Sequence, residues 1–288
     1  MVKRYQRGES LKRIAGVAVS PVTVMSHLEA RGISRRDRTV AQIAAVTKHA
    51  RIAFTGGKEL QAYLIGFSRG DLNVSRHGRA VRIKTASTHP LMIEHLRHLF
   101  SSHGHTLVFP RRSSLAGYEW SFQVDLDLSF SFLLQYRREL PRWIFRKKYF
   151  LSFLAGFFDA EGSIWLNESS IFGFEVSVTN SDSDLLETLR TKLHRLGFPF
   201  HLSKNRENAV WHLRMWDQAK VKELLQSLPL RHPEKVSKAR IALGRENAIS
   251  TNSYERLTDE WDGLLRGIKL GRDAFTQKAM EALRTAGK

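Results

Sequence analysis

The 288-residue chain is 42% hydrophobic and 10% aromatic, enough to bury the core of one large domain or of two to three small ones. It has no cysteine, which excludes disulfides and thiolate zinc sites, and no apolar run as long as a membrane span. Forty-six Lys and Arg against 28 Asp and Glu leave a charge of +18, a balance suited to a polyanionic partner because each neutralised phosphate releases condensed counterions. A basic ribosomal or thermophilic protein is the plainer alternative.

Residues 1–55 form a basic segment in which GESLKRIAGVAVSPVTVMSHLEARGI predicts two helices around a short turn. Ser20 caps the second helix, Pro21 enters its first turn, and Val24 and Leu28 give it an apolar face against Ile14 and Ala15. Such a pair predicts a helix-turn-helix with Thr23, Ser26 and His27 towards DNA bases and Arg35, Arg36 and Arg38 towards the backbone. The alternative is a small helical pair packed on the rest of the chain. No secretory signal is expected, since the charges of MVKRYQRGES are followed by no apolar stretch.

Two segments then repeat at an offset of 90 residues, LIGFSRGDL from residue 64 and LAGFFDAEG from residue 154, aligning Asp71 with Glu161. Each opens the same predicted series of helix, two strands, helix, two strands, helix. In the first copy the strands are LNVS and AVRIKTA, then HTLVF and YEWSFQVDL, with a helix from about Thr88 to Ser102 between the pairs. In the second they are SIWLN and FGFEVSVTN, then FHLSK and AVWHLRMW, around a helix from about Ser181 to Leu196. Gly104 and Gly197 are expected to end these middle helices. The copies close alike, Leu140 and Pro141 before Lys147, Leu228 and Pro229 before Lys235. The expected domains are 1–55, 58–146, 147–243 and a linker with helical tail, 244–288, whose apolar residues from Leu257 onward have helical spacing.

In the motif helices, small residues at three-to-four spacing (Gly66 and Gly70; Ala155, Gly156 and Ala160) predict close backbone approach of one helix on the other. Asp71 and Glu161 then meet at helix C-termini that already carry partial negative charge, a point that a hard divalent cation relieves. The plainer reading of each is a packed helix that ends in an acid.

LAGFFDAEG resembles the LAGLIDADG motif and LIGFSRGDL is a weaker copy, with Leu72 in place of the final Gly and Arg69 where the second copy has Asp159. The resemblance, over about residues 58–243, is to homing endonucleases and intron maturases. Its combination with an N-terminal helix-turn-helix is similar to some archaeal members. It implies an α+β fold of two pseudo-symmetric αββαββα repeats with saddle-shaped antiparallel sheets. It also implies a monomer that cuts double-stranded DNA with Mg²⁺, or Mn²⁺, held by Asp71 and Glu161, leaving short 3′ overhangs. Lys147 and Lys235 are the candidate basic residues near the scissile phosphates, Lys148 being nearly as good as Lys147, and surface lysines are the plainer reading. A non-catalytic DNA-binding regulator and an RNA maturase bound to intron RNA are the rival functions. The location expected is the cytoplasm of a prokaryote, on the nucleoid when DNA-bound.

The resemblance places the polar sheet faces in the major groove. Strand alternation assigns Arg82, Lys84, Gln123, Ser163, Trp165, Asn167, His212 and Arg214 to those faces, opposite core residues such as Val81, Ile83, Phe122 and Val124. An ordinary solvated sheet face is the alternative.

Overall fold

The computed structural model describes residues 1–6, 9–37, 49–136, 139–167, 173–205, 209–244 and 251–286, without the side chains of 167 and 251–255. The chain forms two compact units, Met1–Ala50 and Arg51–Lys288.

The first unit holds α1 (Val2–Gln6), α2 (Leu11–Ala15) and α3 (Pro21–Glu29). Ser10 and Ser20 each accept a backbone N–H three residues on, stopping two fraying helix starts. Tyr5, Ile14, Ala15, Val24, Met25 and Leu28 make a small core of their own.

In the second unit, α4 (Lys58–Ser68) leads into β1 (Asn73–His77), β2 (Ala80–Ser87), α5 (Pro90–Phe100), β3 (Thr106–Ser113) and β4 (Gly117–Leu126). A short α6 (Phe132–Gln135), flanked by 3-10 turns, closes this half. The second half repeats the order with α7 (Lys147–Glu161), β5 (Gly162–Asn167), β6 (Gly173–Asn180), α8 (Ser183–Arg195), β7 (His201–Lys204), β8 (Trp211–Met215), α9 (Gln218–Ser227) and α10 (Pro233–Gly244). Both sheets are antiparallel with the same strand order, β1-β2-β4-β3 and β5-β6-β8-β7. This is the predicted α+β pair of αββαββα units.

Alternation along the strands places apolar residues on the helix-covered face of each sheet. Val81, Ile83, Phe122, Val124, Ile164, Val176, Val178 and Leu213 join one continuous core with the two motif helices. Asp182 caps α8 through its bond from the Leu185 N–H at 3.0 Å, and Gly197 ends the turn after it at φ +87°. In the first half α5 starts at Pro90 and stops at Phe100, ahead of Gly104, whose φ is not positive.

The predicted tail is α11 (Thr251–Thr285), a 35-residue helix anchored on the first sheet where Trp120 Nε1 donates to the Phe275 carbonyl at 2.8 Å and the two rings stack. Arg38 and the polar linker at 245–250 lie outside the described residues. No helix among the described residues is long and apolar enough to cross a membrane.

Candidate active site

α4 and α7 touch through their backbones. A Cβ on Gly66 would overlap the Phe153 carbonyl oxygen, and one on Gly156 would overlap the Tyr63 carbonyl oxygen. Only glycine fits at this crossing, so the two helices run down together to a shared end. Glu161 is the last residue of α7, while Asp71 sits in the turn that follows α4. Gly70, in that turn, lies against the Glu161 side chain; a Cβ there would sit 2.6 Å from its Cγ.

The two carboxylates feel each other. Glu161 is half-buried and its carboxyl is pushed up to about 7, first by loss of water and then by the charge of Asp71, against a bond from Asn180 Nδ2 at 3.3 Å and the charge of Lys235. Asp71 is exposed by area yet crowded by protein, and is also pushed upward, chiefly by desolvation, against Lys235 and His89. Its exposure keeps water and ligands in reach.

Lys235 lies in the first turn of α10, where its ammonium donates to the Gly162 carbonyl next to Glu161. Burial pushes its pKa below the usual lysine value, and the neighbouring charge of Lys238 adds to this, while Glu234, Asp159 and Asp71 oppose it. Lys147 does not join this group. It begins α7, a 15-residue helix with Glu161 at its other end, which puts it about 21 Å away along the helix axis. Lys148 beside it is paired with Glu59.

A polar cluster that sequence reasoning missed lies beneath the acids. Asp159 is 0% exposed, and its Oδ2 accepts from Tyr63 Oη at 2.6 Å, from the Arg231 N–H at 2.7 Å and from the His232 N–H at 3.1 Å. Tyr63 Oη also bonds His95 Nε2 at 2.9 Å, and the Arg231 guanidinium lies over the Tyr63 ring, 4.7 Å from its centre. Burial holds His95 down at about 4 and His232 at about 3, so both are neutral at pH 7. Arg69, the departure from the motif in the first copy, pairs with Asp182. Asp182 in turn donates its N–H to Asn180 Oδ1 at 2.8 Å, which turns the Asn180 amide towards Glu161. Apart from Asn180 and Asp182, none of these partners is near in sequence, so no local pattern announces them.

The strands present the candidate reading residues in rows. Arg82 pairs with Asp125 in register and is held by it through two bonds, at 2.6 and 2.8 Å, so this cation is not free to reach outward unassisted. Lys84 is exposed and in register with Gln123. In the second sheet Trp165 is exposed and Ser163 half-buried; Asn167 occupies the end of β5, its side chain lying outside what is described. Arg214 is 3.9 Å from Glu175, and His212 bonds Thr179 at 3.0 Å. In the first unit Thr23, Ser26 and Arg35 are exposed and His27 is bonded to Arg31 at 2.9 Å. Arg36 departs from expectation. It stacks on Tyr5 at 4.0 Å and donates to the carbonyls of Tyr5 and Glu9 at 2.5 and 2.8 Å, so its guanidinium braces the small core instead of facing a phosphate.

Paired motif helices, each leading to one acid, with two antiparallel four-stranded sheets match the fold of a solved homing endonuclease. Residues 149–229, most of the second repeat, match the family model described as "LAGLIDADG-like domain". Among solved structures, the homing endonuclease I-WcaI bound to its DNA recognition sequence is similar with a TM-score of 0.51 at 15% identity, over 75% of this chain and 98% of that one. Meganuclease I-SmaMI bound to uncleavable DNA gives 0.48 at 11% identity, over 74% and 99%. Mesophilic variants of I-DmoI give 0.46 at 16%, over 62% and 96%. No curated protein matches the chain.

The raised Glu161 carboxyl has a measurable consequence. Its ordinary value is 4.5 and its folded value about 7, so between these the unfolded chain ionises first and stability falls as pH rises. By pH 8 the ionised group costs on the order of 1–3 kcal/mol, allowing for its partial exposure. Glu161→Gln is therefore expected to melt several degrees higher than the parent at pH 8 in chelator and to lose that advantage near pH 4.5. Equal melting curves at pH 8 would contradict the crowding of the two acids.

Proposed function

We propose that the chain is a site-specific, double-strand DNA endonuclease that works as a monomer with a divalent ion, Mg²⁺ by preference, held by Asp71 and Glu161. The observation that carries this is the backbone contact at Gly66 and Gly156, which delivers one carboxylate from each repeat to a common point beside Lys235. The donors suit a hard cation, since both offer carboxylate oxygen. No group of three or more His, Cys, Asp or Glu among the described residues is placed to hold a metal ion, so phosphate and water oxygens would complete the coordination. A divalent ion bound there supplies an activated water and neutralises charge on the leaving oxygen.

The protein's own groups do the rest. Asn180 orients the Glu161 carboxylate, and the Lys235 ammonium can swing from the Gly162 carbonyl to a phosphate oxygen. The polar faces of the two sheets hold the duplex, as the fold shared with DNA-bound I-WcaI supports. The Met1–Ala50 unit adds a second contact, with α3 as the recognition helix of a helix-turn-helix. An intron as the encoding element is part of the same reading.

The test is cleavage of a randomised duplex library with Mg²⁺. Asp71→Asn and Glu161→Gln should each lose about a thousandfold in cleavage rate, about 4 kcal/mol of barrier, while duplex binding changes little. Parent-like cutting by either variant would remove these acids from the chemistry.

A further inference from the structure

We infer that Leu107 and Phe109, on the edge strand β3, read thymine methyl groups in the half of the duplex held by the first repeat. The inference rests on the DNA-binding reading above. Both side chains are 44% exposed although large and apolar, and they lie two residues apart on one strand, hence on one face. Register fixes which face. Leu107 stands opposite Gln123, which stands opposite Lys84, which stands opposite Asn73, so one row across the four strands reads Asn73, Lys84, Gln123, Leu107. Phe109 stands opposite Ser121, and Ser121 opposite Ala86, in the next row. Val108 between them turns the other way and packs on the core.

Leu107 and Phe109 therefore share the face that carries the polar candidates for base contact, and need not be exposed to complete the core. An exposed apolar pair on an edge strand invites association, so a fold that retains it gains most if a ligand covers it. In the major groove the apolar group on offer is the 5-methyl of thymine, absent from cytosine and from both purines. Polar neighbours on the same row supply the complementary contacts to base edges and phosphates. The spacing also fits, since two residues along a strand span about 6.8 Å, close to two base-pair steps of about 3.4 Å. The chain charge of +18 favours duplex DNA as occupant over a second copy of the same basic protein.

The experiment selects bound duplexes from a randomised library with the full-length protein, then replaces each strongly preferred thymine by uracil, which removes only the methyl group. The parent is expected to prefer thymine at two positions about two steps apart on one side of the site, and to bind each uracil duplex roughly three- to fivefold more weakly, the effect of one buried methyl. In Leu107→Ala and Phe109→Ala the thymine-to-uracil affinity ratio should fall to one at one position each. Uracil-insensitive binding by the parent, or variants that keep the full ratio, would overturn the inference while leaving the nuclease reading standing. A switch from dimer to monomer on these substitutions would assign the patch to self-association and overturn it too. Absence of any sequence-preferred duplex binding would remove the inference together with the reading beneath it.

Discussion

Gly156→Ala is expected to cost more than about 3 kcal/mol of stability and to abolish cleavage, although alanine is the better helix former. Two effects of opposite sign compete at this position. Alanine in a helix interior gains about 1 kcal/mol over glycine through lower backbone entropy in the unfolded chain. Against that, the new methyl would overlap the Tyr63 carbonyl oxygen, a backbone atom of the partner helix that no side-chain rotation can remove. The helices must separate, which opens the backbone-to-backbone seam between α4 and α7 and moves Glu161 away from Asp71. Gly66→Ala meets the Phe153 carbonyl in the same way and should behave alike. Gly263 and Gly267 in α11 supply the control, because a Cβ at either meets nothing within 4 Å. There the propensity effect acts alone and alanine should stabilise by about 0.5–1 kcal/mol. Chemical denaturation of the four variants reads both signs. A Gly156→Ala protein as stable and as active as the parent would mean that the helices do not meet as described.

The seam explains which parts of the site were legible in the sequence. Gly66, Gly156, Asp71 and Glu161 belong to one nine-residue pattern seen twice, and a repeated pattern survives being read without its neighbours. Lys147 and Lys235 were matched through the Leu-Pro pair that precedes each at the same distance, Leu140 and Pro141 in the first copy and Leu228 and Pro229 in the second. The match brings only Lys235 close to the acids, for a topological reason. After Pro229 the chain enters α10, a helix beyond the repeat's sheets, whereas after Pro141 it passes through a 3-10 turn into α7, the next motif helix. Lys147 therefore occupies the far end of the helix whose near end holds Glu161. Arg36 was misread for a different reason. An arginine in a basic segment suits a phosphate, and nothing local shows that the carbonyls of Tyr5 and Glu9 converge on it. Asp159 and Tyr63 are 96 residues apart, and Asp159 and Arg231 are 72 apart, so their joint burial is set only when both repeats have folded together.

That buried cluster yields the second large effect. Asp159→Ala should lower stability by about 3–5 kcal/mol, because a single carboxylate oxygen serves three donors from two distant parts of the chain. Its other oxygen, Oδ1, has no partner among the described residues, so the carboxylate holds its place through Oδ2 alone. Two of the three donors are the backbone N–H groups of Arg231 and His232, which directly precede α10. Asp159 thereby fixes where α10 begins, and with it the position of Lys235 three residues past His232. Asp159→Asn separates the two roles. An amide oxygen can still accept from the backbone at this site, so the asparagine variant should fold, lose less stability than the alanine variant and retain Lys235 near the acids. Its cleavage rate should then fall far less than that of Lys235→Met, whose stability should stay close to that of the parent because the methionine stem fills the same half-buried path. Rates at saturating Mg²⁺ and DNA, taken with melting temperatures, distinguish these cases. If Asp159→Ala melted like the parent, the three donors would have found other acceptors, and the start of α10 would owe its position to the Glu234 bonds with His89 and Lys238 at 3.0 and 2.8 Å instead.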